Sequence, residues 1–556
     1  MEDRTNYSDQ PIVPIRRTML PHMLLVGLML LPGCQPSSGM PPPQIEHESP
    51  PAKVGETVRE GNAAEAGAHP AKPTSPDLPN PDDYYEAQFL QGSKVGYAHV
   101  QRSLVVAGDR NLVVTASTTR LTVKREGQPV TQEFFCSSTD TVGGQLVRFE
   151  TKLSGGGGNA VTRGRVAGAV LELEITTLGR TETREIPWDA AWGGFYAVEG
   201  SLQRTPMKPG EKRKLKAIVP FYLQVADISL EAVDYEQTPL LSDQQELLRI
   251  KETIQLGGDT QIVSWKWCDR AGETLKSQMI GGIGGESYRT SKEIAVGDPK
   301  DVAFDLFRTT TVPVDHPLTD APRARKIVYR VQMDEGDPGK EFADGPGQSR
   351  KRVDDHTIEL TVLRQRLEDK VSSQEPAPSP GPADRQPNSL IQSDDDEIKR
   401  LAQSVAPHEK DGAKLAAALE KFVDGYIVKS DYSSALATAA EVARSRQGDC
   451  TEHAFLLAAL CRARGLPARV VIGLVLVGEP TQRGFAYHMW NEVWIDGRWA
   501  PLDATQGRGG IDAVHLKLRD ANLDGSSPYA AFLPVYQVLG QLKIAVVAVE
   551  SGGAGE

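Results

Sequence analysis

The chain has 556 residues, of which 24% are charged and 39% hydrophobic, and its formal net charge is −12. That length provides for two to four domains, and the balance is that of a soluble globular protein. The acidic excess, with no basic cluster beyond short runs such as Arg350-Lys351-Arg352, excludes nucleic acid as an expected partner. None of the five cysteines (Cys34, Cys136, Cys268, Cys450 and Cys461) falls in a C-x-x-C pair, which excludes zinc-ribbon and thioredoxin-type chemistry.

At the start of the chain, Arg16-Arg17 precede the apolar run "MLPHMLLVGLMLL", which ends in "LPGC" at Cys34. The run is too short to span a bilayer, which takes about 20 residues, and it fits the charged and apolar regions of a secretory signal. Gly33 before Cys34 resembles a bacterial lipobox. That resemblance implies cleavage before Cys34, acylation of its thiol, and a chain lipid-anchored on the outer side of a membrane in the bacterial cell envelope. Residues 35–80 are rich in Pro, Gly, Ala, Glu and Ser, bury too little to order themselves, and read as a tether.

Over residues 81–370 the pattern is strand-like. Segments such as "SKVGYAHVQRSLVVAG", "NLVVTASTTRLTVKREG", "AVLELEITTLG" and "ELLRIKETIQLGG" alternate apolar and polar residues and stop at glycine-containing breakers. Consecutive strands with short turns predict a large antiparallel sheet. "SGGGGN" at 154–159 lacks the Gly-Lys-Ser/Thr ending of a phosphate loop and reads as a hairpin connection, as does "GGIGG" at 281–285. "IVYRVQMD" and "HTIELTVLRQR" add two strands, possible members of a second small module. Cys136 and Cys268 lie in strand-like sequence and read as buried small hydrophobes, with a disulfide between them as the alternative in an oxidising compartment.

Residues 371–396 are Pro- and Ser-rich and then acidic, and read as a linker. From 397 to 550 the texture changes. "DEIKRLAQSVAP", "KLAAALEKFVDGYIVK" and "SALATAAEVARSR" have helical spacing. A further helix begins within "RQGDCTEH" and stops at Gly465 and Pro467. "ARVVIGLVLVG", "AYHMWNEVWIDG" and "RWAPLDAT" read as strands, with Asp496-Gly497 as a hairpin turn. "YAAFLPVYQVLG" reads as helix and "KIAVVAVE" as strand. Helices followed by an antiparallel sheet make this unit α+β.

Asp449 is placed to cap the helix that follows, with Glu452 reaching back as in a capping box. Cys450 then occupies the first helical position, where the partial positive charge of the helix end favours a thiolate. That end supplies at most about 2 kcal/mol, so a reactive thiol also calls for an imidazole and a group to orient it. His488 and Asp503 lie on neighbouring strands of the expected hairpin, where they can be brought side by side. Cys461 lies on the same helix, about 16 Å along its axis, and reads as core. His453 is an alternative base, although a polar helix-face role suits it better. The tryptophans Trp490, Trp494 and Trp499 read as packing, and Arg469 as half of a structural ion pair.

Three blocks in order, Gly448-Asp449-Cys450 with Leu466-Pro467-Ala468-Arg469, "HMWNEVW" from His488, and Trp499 with Asp503-Ala504-Thr505, resemble the bacterial transglutaminase-like family of the papain-like superfamily. Met489 stands where that family commonly has a small residue. The resemblance implies a papain-like core of helices packed on an antiparallel sheet over 397–550. It assigns Cys450 as nucleophile, His488 as base and acid, and Asp503 as orienter. The reaction implied is attack on a carboxamide or peptide carbonyl through a thioester that water or an amine resolves. The implied partner is a protein or peptide substrate, without a metal or cofactor. One oxyanion donor would be the backbone N–H of Cys450, and a second is expected before the helix, near Tyr432. The competing reading is a non-catalytic envelope scaffold or binding protein that keeps the fold.

Overall fold

A computed structural model describes residues 82–551, apart from short internal stretches of which the longest are 370–377, 429–436 and 525–534. The expected signal, the tether, Cys34 and Tyr432 lie outside the described residues, as does most of the expected helix at 529–540.

The first half is a fourteen-stranded antiparallel sheet. Two meanders, one over 82–187 and one over 212–290, join where strand Asp82–Leu90 pairs with Gly285–Thr290. Alternation drives each strand: in Val170–Thr177, Leu171, Leu173 and Ile175 point inward between less buried neighbours. The strands flanking "SGGGGN" and "GGIGG" are antiparallel neighbours, while residues 156–159 and 283 lie outside the described residues. Helix Ala197–Arg204 lies between the meanders in sequence and buries Val198 and Leu202. The interior also holds charge. Lys266, 1% exposed, pairs with Glu199, and Glu252 accepts a hydrogen bond from Ser264 at 2.8 Å. Cys136 and Cys268 are free, buried thiols, with no disulfide between them.

The C-terminal unit packs four helices (Asp396–Ser404, Gly412–Tyr426, Ala439–Ser445 and Cys450–Ala463) with a five-stranded sheet. In that sheet Gly484–Ile495 pairs with Ala468–Val477 and with Arg498–Leu502. The turn at Asp496-Gly497 has both residues at positive φ, 50° and 79°, the geometry of a type I′ hairpin. Helix Cys450–Ala463 is the axis of the unit, buried on almost every side, and it packs against both Gly484–Ile495 and Ala468–Val477. The molecule is therefore α+β and mostly β.

The two halves are joined more closely than composition suggests. Strand Val312–Pro313 adds to the free edge of Gly484–Ile495. Ala324–Met333 and Thr357–Leu363, expected in the β-rich region, form a four-stranded sheet with Gln348–Arg352 and the C-terminal strand Leu542–Ser551. The Tyr329 hydroxyl donates to the Ala513 carbonyl at 2.9 Å. The segment expected to be a linker is packed from residue 378 onward. Leu390 and Ile391 are buried, the Trp499 indole donates to the Pro378 carbonyl at 3.0 Å, and the Ala440 amide donates to Gln392. The few apolar residues in a Pro- and Ser-rich stretch suffice to hold it down when each meets a pocket and a hydrogen-bond partner.

Candidate active site

Helix Cys450–Ala463 begins as its sequence dictates. Asp449 is extended, at φ −109° and ψ −156°, and its Oδ1 accepts the Thr451 amide at 2.9 Å. Glu452 reaches back, taking the Asp449 amide at 2.9 Å on one oxygen and the Ala437 amide at 3.0 Å on the other. This is the capping box the sequence predicts, and it leaves Cys450 at the first helical position, 2% exposed. Burial, and then the charge of Asp449, push the Glu452 carboxyl well above its ordinary range.

His488 and Asp503 meet. The His488 Nε2 lies 2.9 Å from Asp503 Oδ2, with both side chains 1% exposed. Strand register explains the meeting: Asn491 pairs with Leu502, so the chain leaving that strand at Asp503 passes beside the strand carrying His488. The Asn491 amide donates to the Ala454 carbonyl at 2.9 Å and ties this strand to the Cys450 helix one turn beyond Cys450. His453, in the first turn of that helix, is close enough to His488 and Asp503 to feel their charges. Its own Nδ1 lies 2.6 Å from the Asp449 carbonyl oxygen, and burial lowers its pKa. It therefore serves the helix turn.

Two further groups surround Asp503. His515, on strand His515–Ala521, brings its Nε2 to 3.1 Å from the same Oδ2. The other oxygen, Oδ1, accepts from the Thr505 amide at 2.9 Å and its hydroxyl at 2.7 Å. Burial opposes ionisation of Asp503, but the two imidazoles outweigh it and hold the carboxyl well below its ordinary range. Glu420, on helix Gly412–Tyr426, accepts the backbone N–H of Asp503 at 3.0 Å and of Gly509 at 2.6 Å, pinning both ends of the intervening turn. His488, Asp503 and His515 are also the one group of three metal-ligating side chains found among the described residues. Both imidazole contacts to Asp503 are at hydrogen-bond distance, and the carboxylate accounts for them without an ion.

Trp490 packs beside both histidines, with ring centroids 6.1 Å from His488 and 5.3 Å from His515. Gly473 makes room for it: a Cβ there would stand 2.5 Å from the Trp490 ring and 2.2 Å from the Leu516 carbonyl oxygen. Trp494 and Trp499 pack edge to face. Arg469 pairs with Glu492 at 2.6 Å and Asp520 at 2.7 Å, as a structural ion pair should. Cys461 is fully buried, and burial pushes its thiol up to about 12, so it stays protonated.

Sequence reasoning missed His515, Glu420 and one more residue, Arg125. Glu420 carried a signal, since it interrupts the apolar face formed by Leu415, Ala416, Leu419 and Val423. His515 carried none. Arg125, at the end of strand Arg110–Arg125 in the β-rich half, donates from Nη2 to Asp449 Oδ2 at 2.9 Å, with both side chains 3% exposed.

The family model for the transglutaminase-like superfamily matches residues 399–504. Human kyphoscoliosis peptidase is 31% identical over 81 residues, which span 14% of this chain and 12% of that protein. Among solved structures, a candidate cysteine protease from Cytophaga hutchinsonii is 14% identical, over 41% of this chain and 87% of its own, at a TM-score of 0.24. A β-barrel-like protein from Brucella abortus, of a domain family of unknown function, is 8% identical over 38% and 96%, at 0.30.

Proposed function

We propose that this chain, whose residues 399–504 form a transglutaminase-like domain, is a cysteine acyltransferase or peptidase acting through Cys450, His488 and Asp503. The observation that carries the reading is the buried His488–Asp503 hydrogen bond, on a strand tied to the Cys450 helix through Asn491 and Ala454. Asp503 takes Nε2, so Nδ1 is the ring atom assigned to the thiol. His488 accepts the Cys450 proton, the sulfur attacks a carboxamide or peptide carbonyl, and a tetrahedral oxyanion forms. The backbone N–H of Cys450, at the helix N-terminus, is one donor to that oxyanion. The imidazolium returns its proton to the departing amine, leaving a thioester. Water or an amine, deprotonated by His488, then attacks the thioester; the C–S bond breaks and the imidazolium returns the proton to the Cys450 sulfur. The substrate is a protein or peptide.

Alkylation of the full chain, read at Cys450 by peptide mass, tests this. Cys450 should react at least about tenfold faster than a model thiol at pH 7, and His488→Ala should abolish the advantage. Equal rates for Cys450 and a model thiol would leave the fold as a binding scaffold.

We also propose that the chain is lipid-anchored at the bacterial cell envelope through Cys34. Support comes from the Arg16-Arg17 pair, the apolar run and "LPGC" ahead of a tether-like stretch. Metabolic labelling with a fatty-acid analogue should mark the wild-type chain and not Cys34→Ser; labelling that survives the substitution would remove the anchor.

A further inference from the structure

We infer that Arg125 of the β-rich half is a positioning residue for the nucleophile, so that the catalytic centre of the C-terminal unit is electrostatically incomplete without the fourteen-stranded sheet. The inference rests on the reading of Cys450 as nucleophile. A capping aspartate immediately before a cysteine organises the helix, but it also sets a buried negative charge beside the sulfur, which opposes the thiolate the helix end would favour.

The charged and titratable groups of this site come from several elements. The Cys450 helix and its cap carry Asp449, Glu452 and His453, the sheet and the turn leaving it carry His488, Asp503 and His515, and the neighbouring helix carries Glu420. Glu452 is held by the Asp449 and Ala437 amides, Asp503 by two imidazoles, and Glu420 by the Asp503 and Gly509 amides. Arg125 is the cation the structure sets against Asp449, in a pair that is 3% exposed on both sides. With Oδ1 on the Thr451 amide and Oδ2 on the guanidinium, the cap keeps its helix role while its charge is cancelled.

Arg125 is also held in register. It ends the strand that runs into the hairpin tip at Gly127. Asp305 accepts the Gly127 amide at 2.8 Å, and the Lys124 amide donates to the Phe304 carbonyl at 2.9 Å. Asp305 in turn caps helix Leu306–Thr310, which leads directly into Val312–Pro313 on the edge of the strand that carries His488. One continuous path thus fixes the hairpin tip to the catalytic sheet and delivers the guanidinium to the start of the Cys450 helix.

The test is the rate–pH profile of Cys450 alkylation in the full chain. Arg125→Gln should move the midpoint to higher pH by about one unit and slow the reaction near pH 7 about tenfold. Arg125→Lys should recover most of the loss, since Lys restores the charge. In the Arg125→Gln background, Asp449→Asn should also recover it, because asparagine still caps the helix and leaves no charge to cancel. A purely structural arginine would lower Tm without moving the midpoint. An Arg125→Gln protein with wild-type circular dichroism and a superimposable profile overturns the inference, as does a faster reaction. Should Arg125→Gln fail to fold, Arg125→Lys and Arg125→Lys/Asp449→Asn carry the test, and identical profiles for both and for wild type would overturn it. If wild-type Cys450 is itself no faster than a model thiol, the catalytic reading fails, and that outcome is distinct.

Discussion

Asp140 and Glu252, inside the fourteen-stranded sheet, and Asp503, in the C-terminal unit, are all buried carboxylates, and their surroundings treat them in opposite ways. Burial pushes Asp140 up to about 7 against one hydroxyl from Ser138 and the Gly194 amide. It pushes Glu252 up to about 6 against the charge of Lys266, which is committed to Glu199. Asp503 is equally dry yet stays ionised, because two imidazoles and two Thr505 donors surround it. The difference is one of donor density. A buried carboxyl with few donors holds its proton to a higher pH, whereas one saturated with donors keeps its charge and can hold an imidazole in a fixed orientation. The β-rich half buries charge as structure; the C-terminal unit buries it where it can steer a proton.

That contrast is open to a direct break. Asp503→Asn keeps the shape but replaces one acceptor oxygen with an NH₂ group that faces either the histidines or the Thr505 donors. Turnover should fall about 10²–10⁴-fold, with the fold intact by circular dichroism. Glu252→Gln, the matched change in the β-rich half, should leave Cys450 alkylation unchanged. Comparable losses from both substitutions, or from neither, would erase the distinction.

A smaller effect sharpens it. Burial raises Glu420 from 4.5 to about 7, with the charge of Asp503 adding to the shift and the Gly509 amide opposing it. The folded chain therefore keeps a proton that the unfolded chain releases between those values. The stability this group contributes is complete below about pH 4.5 and is lost as pH rises through about 7, a change on the order of 3 kcal/mol. Glu420→Gln, neutral at every pH, should flatten the decline of Tm between pH 5 and 8. An unchanged slope would show that Glu420 is ionised throughout and belongs with Asp503.

Much of the site was legible in the chain. Gly-Asp-Cys before an apolar run, with Glu three residues after Asp, specifies a capped helix whose first residue is cysteine, since capping is local chemistry. Asp496-Gly497 specifies the hairpin that aligns the His488 strand with the one leading to Asp503. The alternation in 82–290 specifies an antiparallel sheet, because a two-residue period is written in every strand. The stretch 378–396 misled because composition averages over residues, while Leu390, Ile391 and Asn388 act singly: the Asn388 side chain alone accepts the Leu390 and Ile391 amides.

Neighbours along the chain dictate element type, caps and turns, and the chain supplies the residue types able to perform acyl transfer. Tertiary structure alone decided the rest. It put a second histidine on Asp503, set Glu420 beneath the turn, paired Leu542–Ser551 with Ala324–Met333, and carried Arg125 across 324 positions to Asp449. The physical reason is that buried charges must be matched in space, and nothing in the local pattern around a buried arginine records which distant carboxylate it will meet.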